Sequence, residues 1–178
     1  VAILAALAWR KKSGAGQYID LALLDTQVSW LANQAMNYLV GGDVPRRAGN
    51  AHQNIVPYGV FPARDGHMIL GIGNNTQLTK FLEVAGRVEL MQDERFKTNT
   101  LRVQHREAVV AIIGGITAMR DLDDWLAELQ PAGVPCGPIY SIDQVFADPQ
   151  VKHLQMGRPT THPELGELTL LGQALNLT

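Results

Sequence analysis

The chain has 178 residues, of which 46% are hydrophobic, so it can bury one sizeable core or two small ones joined by a linker. Its 15 basic and 17 acidic residues leave no cationic surplus for a phosphate backbone, which excludes a typical nucleic-acid-binding protein. A single cysteine, Cys136, excludes an intrachain disulfide and a multi-cysteine zinc site, and no stretch is apolar enough to cross a bilayer. We therefore expect a cytoplasmic protein that binds small molecules or other proteins.

The first 40 residues are predicted to contain two helices and a short strand. Residues 1–12, VAILAALAWRKK, are apolar on most faces and predict a helix that is buried in a longer polypeptide and ends at SGAG. The segment QYIDLAL alternates weakly and predicts a strand, after which a second helix has the apolar spacing of Val28, Leu31, Ala35 and Leu39. The chain lacks a starting methionine and ends on the apolar run LTLLGQALNLT, so we expect it to be an internal piece.

Residues 41–57, GGDVPRRAGNAHQNIVP, have no hydrophobic periodicity. They are too long for an ordinary connection within a compact domain, so they are either a linker or a functional loop. Arg46 and Arg47 in this segment can meet a phosphate or a carboxylate, but a solvated loop face is the favoured interpretation.

A second unit begins at Tyr58. The run YGVF, the turn residues Asp65-Gly66 and the run HMILGIG predict a tight antiparallel hairpin. Asn74 or Asn75 is predicted to cap the next helix, GVPCGPI to be extended, and Ser141 with Gln144 to form a capping box. Three helices are predicted from apolar faces, which consist of Leu78, Phe81, Leu82 and Ala85; of Val109, Ile112, Ile113 and Ile116; and of Leu122, Trp125, Leu126 and Leu129.

Other polar patterns have a structural and a functional interpretation. GIGNNTQ is similar to a phosphate-binding loop, but it lacks the lysine of a P-loop, and a helix cap is favoured. Arg102 and Arg106 lie one helical turn apart near Asp93 and Glu94, which favours an ion-pair network. The histidines show no metal-ligand spacing, and Cys136 is interpreted as a small core residue.

Several blocks of sequence, in this order and spacing, resemble the class III CoA-transferase family, which includes formyl-CoA transferase and carnitine CoA-transferase. They are AALAWRKKSGAGQYIDLALLD, RAGNAHQNIVPYGVFPARDGHMILGIGNNTQ, DERFKTNTLRVQHRE, WLAELQPAGVPCGPIYSIDQVFADPQV and HPELGEL. The resemblance covers essentially the whole chain, which makes it more specific than any single motif.

The resemblance implies an α/β fold and a division of the chain. Residues 1–40 would belong to a large Rossmann-like, CoA-binding domain, 41–57 to a linker and active-site flap loop, 58–150 to a small α+β domain, and 151–178 to a linker that returns towards the large domain. It also implies an interlocked homodimer, acyl-CoA and carboxylic acid substrates, and no covalently bound cofactor, since the coenzyme A thioester is itself a substrate.

In this family a carboxylate attacks the acyl-CoA thioester, and CoA transfer proceeds through an aspartyl anhydride and an enzyme thioester. The resemblance places that aspartate upstream of Val1, so no catalytic residue is expected in this chain. Asp20 and Asp25 match other family positions. An α-methylacyl-CoA racemase, which shares the fold, and a noncatalytic dimerisation or lid fragment are the alternative functions.

The loop GNAHQNIVPYG matches a glycine-rich flap that covers the reacting thioester in formyl-CoA transferase. Here His52, Gln53 and Asn54 replace the flap glycines. The resemblance therefore implies that Asn50, His52, Gln53 and Asn54 bind substrate, with side chains that donate hydrogen bonds to an acceptor carboxylate or an oxyanion. His52 is also a conceivable acid or base. The alternative is a surface linker with solvated side chains.

Overall fold

The computed structural model of the protein describes residues 1–175. The backbone divides into two compact units, the first of residues 1–49 and the second starting at Asn50. This division falls inside the segment 41–57. The last three residues of the segment 151–178, which include the end of the apolar run, lie outside the described residues.

The first unit contains helices α1 (Ala2–Ser13), α2 (Leu23–Ser29) and α3 (Ala32–Leu39). Helix α1 ends as the sequence predicts, with Gly14 in the left-handed conformation at φ 75° and its amide bonded to the Arg10 carbonyl. None of residues 1–49 is buried. The burial of this helix in a longer polypeptide stays a prediction. Three short helices with short connections do not enclose a core.

Two predictions in this unit are wrong. Residues 17–23 are predicted to form a strand, but residues 17–22 lie in a connection that leads into α2, and Leu23 is the first residue of that helix. A strand needs the backbone of a partner, and none of the described strands pairs with this segment. The predicted second helix is also interrupted, because α2 ends at Ser29 and Ala32 has a positive φ of 44°.

The second unit is built on a three-stranded antiparallel sheet of order β1-β2-β3, with β1 at Tyr58–Ala63, β2 at Gly66–Gly71 and β3 at Cys136–Pro138. The predicted hairpin and extended run are confirmed. Since Ala63 pairs with Gly66, the turn consists of Arg64 and Asp65, one residue earlier than the sequence suggests. Asp65 instead accepts a hydrogen bond from the Leu122 amide at 2.9 Å and so caps a distant helix.

Helices pack around this sheet. They are α4 (Asn75–Val84), α5 (Asn99–Gln104), α6 (Arg106–Thr117) and α7 (Leu122–Leu129), with two 3₁₀ turns at Val88–Gln92 and Glu94–Phe96. The buried core includes Leu78, Phe81, Leu82, Val109, Ile113, Ile116, Trp125 and Leu129, which confirms the three predicted apolar faces in large part. Ile112 and Leu122 pack at its edge. Trp125 donates its indole N–H to the Thr117 carbonyl at 2.8 Å.

The rest of the unit contains α8 (Ile142–Ala147), α9 (Pro149–His153) and a hairpin of β4 (Gly157–His162) and β5 (Gly166–Leu171). Gln144 accepts from the Ser141 amide at 2.9 Å, as the predicted capping box requires. The hairpin was not predicted. Its strands do not alternate clearly between apolar and polar residues. The signal in the sequence that could have indicated the hairpin is the turn before Gly166, whose φ is 74°. No helix among residues 1–175 is both long enough and apolar enough to span a membrane.

Candidate functional site

The candidate substrate-binding residues lie in one irregular segment, residues 50–57, which we call the loop. It runs directly into β1, and the His52 amide donates to the Tyr58 carbonyl at 2.9 Å. Gly59 permits this close approach, because a Cβ atom there would lie 3.3 Å from the Ala51 Cα. Asn50 is exposed, whereas His52 is half-buried, so the first turn of the loop lies against the strand with its polar side chains at the surface.

The carbonyl oxygens of the loop accept hydrogen bonds from side chains of α5 and α6. Arg106, the first residue of α6, donates to the His52 carbonyl at 3.0 Å and to the Gln53 carbonyl through its second Nη atom. Two parallel N–H groups of one guanidinium fix direction as well as distance. Both peptide groups are therefore held by one half-buried arginine.

Asn99, the first residue of α5, holds the next part of the loop. Its Nδ2 donates to the Asn54 carbonyl at 2.8 Å, and its Oδ1 accepts from the Val56 amide at 3.2 Å. An amide side chain that both donates and accepts can replace a strand partner for a short stretch of backbone. The loop is thus bonded from its His52 peptide to its Val56 peptide.

Arg102 completes this arrangement from the interior. It is 0% exposed and donates through Nε to the Val56 carbonyl at 2.6 Å and through Nη1 to the Phe96 carbonyl and Asn75 Oδ1, both at 2.8 Å. Burial lowers the pKa of its guanidinium. Its Nη2 atom is buried with no hydrogen-bond partner among the described residues. The positive charge of Arg102 is therefore stabilised by carbonyl dipoles.

The His52 ring has a defined orientation. Its Nδ1 accepts from the Asn54 amide at 3.1 Å, and the ring lies 5.3 Å from the Tyr58 ring, tilted by 55°. A neutral imidazole that accepts at Nδ1 carries its proton on Nε2. In this arrangement His52 offers an N–H donor at Nε2, which suits an anionic ligand.

The structure thus brings together Asn50, His52, Gln53 and Asn54, and their role as substrate-binding residues stays a prediction. Sequence reasoning missed Asn99 and misassigned the two arginines of α5 and α6. The predicted ion-pair network of Arg102 and Arg106 is wrong, since both arginines donate to carbonyls. The acidic residues near them have other partners: Asp93 pairs with Arg95, and Glu94 with Lys97. No spacing along the chain identifies these carbonyl partners, since Asn99 and Arg102 lie on α5 and Arg106 begins α6.

GIGNNTQ is a helix cap, as the sequence favours. Asn74 Oδ1 accepts from the Gln77 amide at 2.9 Å, and Gln77 Oε1 accepts from the Gly73 amide at 2.8 Å. Two backbone amides of this segment, those of Gly73 and Gln77, are therefore engaged by side chains. This segment contributes to the site indirectly, through the contact of Asn75 with Arg102.

The other candidate groups are not part of the loop. Arg46 and Arg47 are exposed in the first unit, as are Asp20 and Asp25. Cys136 is half-buried on β3, and burial raises the pKa of its thiol. Among residues 1–175, no cluster of three or more His, Cys, Asp or Glu side chains is placed to hold a metal ion.

A shallow groove of about 680 Å³ lies elsewhere in the second unit, between the α8–α9 pair and the β4–β5 hairpin. It contains no residue of the loop. Its lining consists of Phe146, Val151, Lys152, Gln155, Gly157, Arg158, Pro159 and Thr169.

Comparison with known proteins identifies the family. The sequence matches the model of CoA-transferase family III over residues 1–178, and the chain belongs to this family. It is 48% identical over 151 residues to a succinate–glutarate CoA-transferase of Agrobacterium fabrum, which covers 85% of this chain and 38% of that protein. It is 38% and 37% identical over 174 residues to the succinyl-CoA:glutarate CoA-transferases of Mus musculus and Homo sapiens, which covers 98% of this chain and 40% of each relative.

Solved structures agree with this assignment. A CAIB/BAIF family protein from Brucella suis is 43% identical with a TM-score of 0.72, over 99% of this chain and 46% of that one. Rv3272 of Mycobacterium tuberculosis shares the fold at 21% identity and a TM-score of 0.82, over 99% of this chain and 46% of that one. The α/β class III CoA-transferase fold is therefore confirmed. The chain spans about two fifths of the length of the curated relatives above. The interlocked homodimer, the domain boundaries and the cytoplasmic location stay predictions.

Proposed function

We propose that the intact protein transfers coenzyme A from a dicarboxylic acyl-CoA donor, such as succinyl-CoA, to a dicarboxylic acceptor, such as glutarate. The observation that carries this proposal is the 48% identity to the succinate–glutarate CoA-transferase over 85% of the chain. The polar loop supports it, because a dicarboxylate that reacts at one end must have its other, charged end bound by the protein.

The loop side chains would bind that second carboxylate. The Nε2–H donor of His52 is directed by the bond that its Nδ1 accepts, and the Gln53 side chain adds an amide donor. Hydrogen bonds to a carboxylate are stronger than those between neutral groups. A glycine flap has no such side-chain donors, so this loop favours an acceptor with an additional charge. His52 then acts as a donor to substrate, which is a different role from that of a general base.

The proposed chemistry uses an enzyme carboxylate supplied by residues before Val1. This carboxylate attacks the donor thioester and expels CoA thiolate, which leaves a mixed anhydride. The thiolate then attacks the enzyme's side of the anhydride, releases the donor acid and forms an enzyme thioester. The acceptor carboxylate repeats the two steps in reverse, so that CoA leaves on the acceptor and the enzyme carboxylate is regenerated. Each tetrahedral intermediate needs donors aimed at its oxyanion.

Product analysis of the intact protein tests the activity. Incubation with succinyl-CoA and glutarate should give glutaryl-CoA and succinate in equal amounts, measured by mass spectrometry. Acetate and butyrate are matched acceptors that lack the second carboxylate, and they should react poorly. Failure to form any acceptor thioester would contradict the proposal, and racemisation of a 2-methylacyl-CoA in the same assay would favour the racemase. An acyl adduct trapped on any side chain between Val1 and Thr178 would contradict the upstream nucleophile.

Substitution tests the loop residues. His52→Ala and Gln53→Ala should each raise KM for glutarate by roughly ten- to a hundredfold, because each removes a donor to a buried carboxylate. KM for succinyl-CoA should change as well, since the same pocket binds the succinyl group. Glu107→Gln, an exposed position on α6, is the matched control and should leave both values unchanged. Unchanged kinetics in both alanine variants would indicate a solvated linker.

A further inference from the structure

We infer that Asn99, Arg102 and Arg106 are positioning residues that hold the loop as a fixed wall of the acceptor site. We call these three side chains the carbonyl ladder. Asn99 and Arg102 lie three positions apart on α5, and Arg106 is the first residue of α6, which follows the break at His105. This inference rests on the proposed function, because it assigns the ladder a role in binding the acceptor.

The ladder engages the backbone of the loop almost continuously. Arg106 holds the carbonyls of His52 and Gln53, Asn99 holds the carbonyl of Asn54, and Arg102 holds that of Val56. Four carbonyl oxygens within five residues are thus bonded to three side chains of α5 and α6. A mobile flap would have to break these bonds together in order to move.

The amides of the loop are engaged in the same way. The His52 amide donates to β1, the Asn54 amide to the His52 ring, and the Val56 amide to Asn99. Those three amides are therefore committed within the protein and are not available to an oxyanion. The side chains of His52 and Gln53 remain as the groups by which the loop recognises a ligand. The ladder thus affects specificity indirectly. It does not contact the ligand itself, but it fixes the backbone that orients the side-chain donors of His52 and Gln53.

Precise placement matters because a misplacement of about 1 Å in a binding group can cost roughly a hundredfold in rate or affinity. Without Arg106, the carbonyls of His52 and Gln53 each lose the hydrogen bond from its guanidinium. The His52 backbone can then move, and the ring moves with it. The acceptor would then meet donors in many orientations. The loss should appear in KM for the acceptor and in the mobility of the loop.

The test measures both quantities in the intact protein. Arg106→Met and Asn99→Ala should speed amide hydrogen exchange in a peptide that covers the loop by about tenfold, and should raise KM for glutarate by roughly tenfold or more. The turnover number at saturating glutarate should change little, because the chemical step lies elsewhere. Arg106→Lys, which can still donate to one carbonyl at a time, should restore part of the affinity. Gln104→Met and Thr100→Ala, both at exposed positions on α5, are matched controls and should behave like the wild type.

Each outcome decides between the proposals. Unchanged loop exchange in both ladder variants overturns the inference, whether or not the enzyme is active. Faster exchange with unchanged KM for glutarate overturns it as well, because the wall would then not position the acceptor. A fall in turnover number alone would show a general loss of folded enzyme and would also overturn it. A wild-type protein that transfers no CoA contradicts the proposed function, while the exchange data still decide whether the ladder holds the loop.

Discussion

Replacement of Arg102 by methionine measures how much a buried guanidinium stabilises the second unit. Its three acceptors, the carbonyls of Val56 and Phe96 and the Oδ1 of Asn75, lie 2.6–2.8 Å from its nitrogen atoms. Arg102 is 0% exposed, so methionine fills its space and keeps water from the acceptors. Each buried acceptor without a partner costs about 1–3 kcal/mol, and removal of a buried charge recovers part of the total. We expect the free energy of unfolding to fall by about 3–5 kcal/mol.

Native-state hydrogen exchange of the α6 amides in the intact protein is the appropriate assay, because it reports the opening of the core that Arg102 supports. Arg102→Lys should cost less than Arg102→Met, since an ammonium group retains the charge and one or two of the bonds. Arg95→Met is a matched control, because Arg95 makes a surface pair with Asp93 and its side chain is 37% exposed. A loss in Arg102→Met below about 1 kcal/mol, or equal to that in Arg95→Met, would refute the reasoning.

Three further predictions concern single residues. The Arg95 guanidinium lowers the pKa of Asp93 to about 2 from 3.8, so the stability this carboxylate contributes is present above pH 3.8 and is lost as the pH falls to about 2. Asp93→Asn should therefore flatten the acid limb of a plot of unfolding free energy against pH. Gly59→Ala should cost about 1–3 kcal/mol and speed exchange in the loop, because its Cβ would press on Ala51 at 3.3 Å. Cys136 should react with iodoacetamide more slowly in the native protein than in the unfolded protein, because burial raises the pKa of its thiol.

The first two of these predictions have a control variant in the chain, and the third compares native with unfolded protein. Glu94→Gln changes a neighbouring exposed carboxylate that pairs with Lys97, and an acid limb identical to that of Asp93→Asn would contradict the assignment to Asp93. Gly66→Ala lies in the same hairpin, where an added Cβ meets nothing within 4 Å, so a loss as large as that of Gly59→Ala would point away from crowding. Equal alkylation rates in native and unfolded protein would show that Cys136 is accessible.

The elements that the sequence predicted correctly depend on neighbours along the chain. The Asn74 cap and the Ser141–Gln144 box each join residues three positions apart, so their geometry follows from local backbone conformation. The apolar faces of α4, α6 and α7 have the period of a helix. They follow a hairpin with a tight turn, so the sequence predicts a unit that contains both strands and helices. The hairpin turn lies one residue earlier than predicted, and Asp65 in that turn has a partner 57 positions away, at Leu122.

The errors concern contacts between distant segments. The strand expected at residues 17–23 has no described partner, and the hairpin at residues 157–171 forms although its strands alternate weakly. The roles of Arg102 and Arg106 were assigned from the nearest opposite charges, which is a reasonable rule for surface side chains. Both arginines instead donate to backbone carbonyls 46–54 positions earlier in the chain.

The sequence by itself determined the family, the first hairpin and the three main apolar helices of the second unit, and the location of the candidate loop, because these depend on local spacing and on the succession of motifs. Only the tertiary structure decided that the loop backbone is bonded to side chains of α5 and α6, and that His52 presents Nε2–H as its donor. The physical reason is that a carbonyl oxygen is the same acceptor in every residue. Its partner is selected by where the fold brings a donor, and no pattern of side chains along the chain records that choice.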